Sequence, residues 1–121
     1  MINVNYRDSR PIYEQIKDGF KKQILTGIMK KDEKLPSVRD VASELAINPN
    51  TIQRAYRDLE AEGYIYSVAG KGSFVEDVTE VTGKRRLELT EALEKLLNEL
   101  QTVGVSEEEC MAIVHERYKA Q

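Results

Sequence analysis

Ser37 to Glu62, SVRDVASELAINPNTIQRAYRDLEAE, reads as two short amphipathic helices joined by a tight connection. Val38, Val41, Ala42 and Leu45 fall at i, i+3, i+4 and i+7, one apolar stripe of a helix. Ile52, Ala55, Tyr56 and Leu59 repeat that spacing. Ser37 is placed to cap the first helix, with Asp40 favoured in its first turn. Asn48 is a good N-cap for the second, and Pro49 a good first residue because it has no N–H to leave unpaired. Ile47 and Ile52 can staple the turn. Two such helices make a helix-turn-helix. On the second, the face opposite the stripe carries Asn50, Gln53, Arg54 and Arg57 and no acid; Asp58, Glu60 and Glu62 gather past its midpoint. Asn and Gln can bind adenine edges, and Arg can bind guanine or phosphate. The expectation is a recognition helix for the major groove of double-stranded DNA. The competing reading is a solvated face of a small helical bundle.

Upstream, residues 1–10 are a lead-in, and Pro11 opens a helix, PIYEQIKDGFKKQILTG. Ile12, Ile16 and Phe20, with Tyr13 and Ile24, form its inner stripe, and Gly27 is a C-terminal stop, with a further turn through Ile28 as the alternative. Gly19 inside it costs about 1 kcal/mol relative to alanine, with no reason visible in the sequence. Lys30 to Lys34 reads as a polar loop. Downstream, Gly63 ends the recognition helix. Tyr64–Ser67 and Ser73–Val75 are rich in β-formers and flank Val68-Ala69-Gly70-Lys71-Gly72, a β-hairpin with a glycine-rich tip. Such a hairpin is a wing. Lys71 between two glycines lets backbone and one cation approach a phosphate or the minor groove. The alternative is a plain turn, and no phosphate-loop context surrounds these glycines.

Beyond the wing, 77–83 reads as a linker. Leu89, Leu93, Leu96, Leu100 and Val103 then run at spacings of 4, 3, 4 and 3, a heptad seam that Leu97 widens. Gly104 breaks this helix, and Ser106 to Glu109 is a capping box for a last helix with Met111, Ile113, Val114 and Tyr118. A two-helix hairpin cannot bury its apolar face alone. A second copy of the chain is the expected partner, through Leu89, Leu93, Leu96, Leu100, Val103 and Val114; docking on its own winged domain is the competitor. The expected fold is therefore mainly α with a small β-hairpin. Residues 1–76 form a winged helix-turn-helix domain, 77–83 a linker, and 84–121 a helical hairpin for dimerisation.

The 121 residues carry a net charge of −3, which looks wrong for a DNA binder until it is divided. Residues 1–75 hold twelve Lys/Arg against ten Asp/Glu, a net +2; residues 76–121 hold six against eleven, a net −5. So modest a positive charge asks for positioned contacts and for two copies of the domain. No apolar run approaches the ~20 residues of a membrane span. MINVNYRDSRP lacks the pattern of a signal peptide, and one cysteine, Cys110, permits no internal disulfide, so a cytoplasmic protein is expected. Cys110 and His115, five positions apart, do not share a helix face, and no metal site or cofactor is expected. Glu107 to Glu109 suit a helix N-terminus, and Lys84-Arg85-Arg86 a solvated helix start. No nucleophile elbow, dinucleotide fingerprint or zinc signature occurs, and no enzyme is expected.

Leu35-Pro36-Ser37-Val38-Arg39, Asn48-Pro49-Asn50-Thr51-Ile52, Leu59-Glu60-Ala61-Glu62-Gly63 and Gly70-Lys71-Gly72-Ser73-Phe74-Val75 follow one another in that order. The series resembles the winged helix-turn-helix domain of GntR-type bacterial transcription regulators. Pro11-Ile12-Tyr13-Glu14-Gln15-Ile16 and the short two-helix C-terminus make it similar to the YtrA subfamily. The resemblance implies that Arg39 contacts DNA, that Ser37 and Thr51 hold phosphates, that Asn48, Asn50 and Gln53 approach bases, and that Gly72 is the wing-tip glycine. Pro49 stands where many members have Arg or Lys, and Gln53 where many have Arg, with an arginine moved to Arg54, so the operator should differ. The resemblance also implies a dimerisation appendage with little room for a metabolite pocket, and a repressor of transporter operons. Taken together, two chains would pair through residues 84–118 and present their recognition helices to successive major grooves. There Arg39, Asn50, Gln53 and Arg54 would face bases, and Ser37, Thr51, Arg57 and Lys71 the backbone. Two other classes are carried: a protein-interaction module without DNA readout, and a sensor of an unknown small-molecule effector, which would need a pocket between wing domain and tail.

Overall fold

The computed structural model describes residues 2–120. Helix α1 (Ile12–Leu25) is followed by α2 (Val38–Leu45), α3 (Pro49–Ala61), strands β1 (Ile65–Val68) and β2 (Gly72–Val75), and helices α4 (Thr79–Thr102) and α5 (Glu107–Lys119). Contacts divide the chain into two compact units between Thr82 and Gly83.

The first unit is built on the expected stripes. Ile16, Phe20 and Ile24 of α1, Val41 and Ala42 of α2, and Ile52, Ala55, Tyr56 and Leu59 of α3 meet in one buried cluster, closed by Leu35, Tyr64, Ile65 and Val75. The Phe20 and Tyr56 rings meet edge to face, 5.5 Å between centroids. Lys17 and Lys21 of α1 both reach the carboxylate of Glu62, the residue that ends α3, and tie the two helices at that end. The Lys17 pKa is raised by its hydrogen bond to Glu62.

Tyr13 was expected in the inner stripe of α1 and is not there. It is half-buried at the edge of the helix, and Gln15 takes a buried place instead. The Gln15 side chain accepts from the Asn5 N–H and donates to the carbonyls of Asn5 and Arg10, so a buried amide is fully used in fastening the N-terminal segment. Ile2 of that segment is buried too. A Cβ on Gly19 would stand 2.8 Å and 2.9 Å from two Ile2 carbons. Glycine in mid-helix is thereby explained: it opens the notch that Ile2 fills.

The hairpin pairs Ile65 with Val75 and Val68 with Gly72, so Gly72 opens β2 instead of lying in the tip. The Lys71 N–H donates to the Val68 carbonyl across a tight turn in which Gly70 has φ +74°. The polar loop before Leu35 is more ordered than expected. Asp32, Leu35 and Val75 N–H groups bond to Val75, Ser73 and Glu33 carbonyls, which lays residues 32–35 along the free edge of β2.

The stretch 77–83, expected as a linker, is helical from Thr79 onward, where α4 begins. The Asp77 carboxylate accepts from the Thr79 N–H and hydroxyl, and these bonds lower its pKa. Val78 and Val81 pack against the domain core, one helical turn apart. Two valines at helical spacing carry the start of α4 onto the domain.

In the second unit, α4 continues to Thr102, Gly104 adopts φ +92°, and Ser106 caps α5 by accepting from the Glu109 N–H. No described residue from 83 to 120 is buried. Leu89, Leu93, Leu96 and Val114 stay between 43% and 56% exposed, Val103 is 76% exposed, and Leu100 is partly covered. No helix among the described residues is long and apolar enough to cross a membrane.

Candidate nucleic-acid interface

The local chemistry of α2 and α3 aims their polar residues outward. Ser37 Oγ accepts from the Asp40 N–H at 3.0 Å, which caps α2 and leaves the hydroxyl proton free to donate. Arg39, two residues on, is exposed. The helices are joined through Ala46, held at φ +54°, and the Asn48 side chain accepts from the Asn50 N–H at 2.8 Å to start α3. With Ile52, Ala55, Tyr56 and Leu59 buried, geometry leaves Asn50, Gln53, Arg54 and Arg57 on the opposite face, all exposed; Thr51 is half-buried beside them. The Tyr56 hydroxyl donates to the Pro36 carbonyl at 2.6 Å and braces the start of α2 against α3. Burial pushes the phenol pKa well above its ordinary value, so it stays a donor.

The wing supplies a second edge. An open groove between hairpin and α2 is lined by Lys34, Pro36, Ser37, Tyr56, Lys71 and Gly72 among others, with no carboxylate. Lys34 runs under the wing: its Cε lies 3.0 Å from where a Gly72 Cβ would stand, and Gly72 has φ +118°. Glycine there satisfies both the backbone conformation and the passage of that lysine. No carboxylate lies within ion-pair distance of Lys34, Arg39, Arg54, Arg57 or Lys71 among the described residues. Cations left without acidic partners around a protruding helix suit a polyanion.

The family model for bacterial regulatory proteins of the gntR family matches residues 12–75, from the start of α1 to the end of the wing. The chain belongs to the GntR family. It is 42% identical over 108 residues to the HTH-type transcriptional repressor YtrA of Bacillus subtilis, covering 87% of this chain and 82% of that one. A transcriptional regulator from Oenococcus oeni superposes with a TM-score of 0.71 at 32% identity over 97% of both chains. The DNA-binding domain of AraR, solved in complex with its operator ORE1, superposes with a TM-score of 0.54 at 29% identity over 62% of this chain and 92% of that one. This GntR protein is a DNA-binding transcription regulator of winged-helix fold.

Ten residues singled out for DNA in the sequence, namely Ser37, Arg39, Asn48, Asn50, Thr51, Gln53, Arg54, Arg57, Lys71 and Gly72, all lie on α2, α3, their junction or the wing. Two neighbours escaped that reading. Lys34 looked like one more loop lysine, because nothing in a sequence reveals that β2 pulls it beneath the wing. Tyr13 looked like core. In the structure the guanidinium carbon of Arg54 stands 3.7 Å above the centre of its ring.

Proposed function

We propose that this GntR regulator acts in the cytoplasm as a homodimeric repressor on a pseudo-palindromic operator. The observation that carries the reading is the outward face of α3 from Asn50 to Arg57, which holds no acid, together with an exposed Arg39 and an acid-free wing groove. Arg39, Asn50 and Gln53 approach base edges in the major groove. Ser37, Thr51 and Arg57 fix the register on the backbone, Asn48 lies with Asn50 at the end of α3 that approaches the bases, and Lys34, Lys71 and Gly72 bring the wing onto a phosphate. Pairing rests on the second unit. A two-helix segment with no buried residue and leucines about half exposed along one seam has no stability of its own. A second copy offers the same seam at no cost in new surface, through Leu89, Leu93, Leu96, Leu100, Val103 and Val114. The twofold then matches an inverted repeat, and occupancy of a promoter blocks polymerase. The name of the B. subtilis relative, a repressor, supports this sense of regulation.

The test is the affinity of Arg39→Ala and Gln53→Ala for a duplex selected by the wild-type protein and for random DNA of equal length. Each is expected to lose about 1–3 kcal/mol on the selected duplex and much less on random DNA. Equal losses on both would refute base reading by these residues.

A further inference from the structure

Arg54 belongs to the recognition helix, yet its guanidinium is spoken for by a different helix. Its carbon lies 3.7 Å above the centre of the Tyr13 ring, near the start of α1. Tyr13 turns its hydroxyl to the Glu14 carboxylate at 3.3 Å, so the ring face, and not the hydroxyl, meets the arginine. Arg54 is exposed and makes no side-chain ion pair among the described residues. A guanidinium held over a ring face keeps N–H donors for another partner, the fork that suits a phosphate. Position on the helix points the same way. Glu62 marks the flank of α3 that meets α1, through Lys17 and Lys21. Arg54 lies at the edge of the outward face nearest that flank, Gln53 about 100° away at the opposite edge, and Asn50 and Arg57 between them. When α3 lies in a groove, the edge tied to α1 faces one sugar-phosphate wall.

We propose that Tyr13 is a positioning residue for DNA binding: it holds the Arg54 guanidinium, before DNA arrives, as a clamp for a backbone phosphate. The assignment rests on the groove-reading role of α3 and changes Arg54 from an expected base reader to a sequence-independent contact. Freezing a long side chain in advance removes part of the ordering cost of binding.

The full chain is measured by fluorescence anisotropy on the selected duplex and on random duplex, over a series of salt concentrations. The variants are Tyr13→Phe, Tyr13→Leu, Arg54→Ala and the Tyr13→Leu/Arg54→Ala double. Phe keeps the ring and Leu keeps apolar bulk, so both fill the half-buried site. Arg54→Ala should weaken both duplexes by the same factor and lower the slope of log affinity against log salt by about one per bound arm. Tyr13→Leu should weaken both about two- to fivefold, the size of an exposed cation–π contact, and add nothing in the Arg54→Ala background. Tyr13→Phe should bind as wild type does. Losses confined to the selected duplex, a Tyr13→Leu effect that persists without Arg54, or equal effects of Phe and Leu would each overturn the assignment. Arg39→Ala separates the two levels. If it abolishes the preference for the selected duplex while Tyr13→Leu changes nothing, only the clamp fails; if the wild-type chain selects no sequence, the groove-reading role fails with it.

Discussion

Ala46 sits at the joint on which the helix-turn-helix depends, with φ +54° in the left-handed region. Its methyl group is crowded against the backbone there, a strain of about 1 kcal/mol that glycine would not suffer. Ala46→Gly should therefore raise the stability of the winged domain by about that amount, less the extra chain entropy glycine brings to the unfolded state. Thermal unfolding followed by circular dichroism checks this; a lower midpoint would mean that the turn is not under strain. At the same scale, much of the candidate face was open to reading. Asn50, Gln53 and Arg57 declare themselves because a helix with a buried stripe has only one place to put its other residues. Tyr13 and Lys34 did not, because their partners, Arg54 and Gly72, lie 41 and 38 positions away. A single chain of residues carries periodicity but not the packing of distant elements.

Elements reveal the same division. The stripes of α1, α2 and α3 and the hairpin were legible because each is a local pattern. The start of α4 was not: 77–83 read as a linker, and only the domain surface supplies the apolar ground on which Val78 and Val81 dock. Gly19 is another case, its reason lying in Ile2, seventeen positions earlier. A double-mutant cycle tests that account. In an Ile2→Ala background the notch is empty, and Gly19→Ala should stabilise α1 by about 1 kcal/mol through helix propensity. With Ile2 present the new methyl group must push it aside, and the gain should vanish or reverse. Equal gains in both backgrounds would show that Ile2 does not occupy the notch.

Across the whole molecule, a winged domain with a modest positive charge of its own is linked to an acidic two-helix segment that buries nothing. In the proposed dimer each half completes the other: the winged domain gains a second arm on DNA, and the two-helix segment a second copy over its leucines. Leu96→Asp places a charge in the seam and should convert a dimer to monomers in sedimentation, with operator affinity falling alongside. A variant that stays dimeric would remove the seam from the account.

Selection of duplexes from a random library by the purified full chain, followed by sequencing, bears most directly on the central claim. Two recognition helices on a twofold predict enrichment of an inverted repeat whose half-sites are centred about 10–10.5 base pairs, or a multiple, apart. Enrichment of one unrepeated half-site, or of no sequence at all, would contradict it.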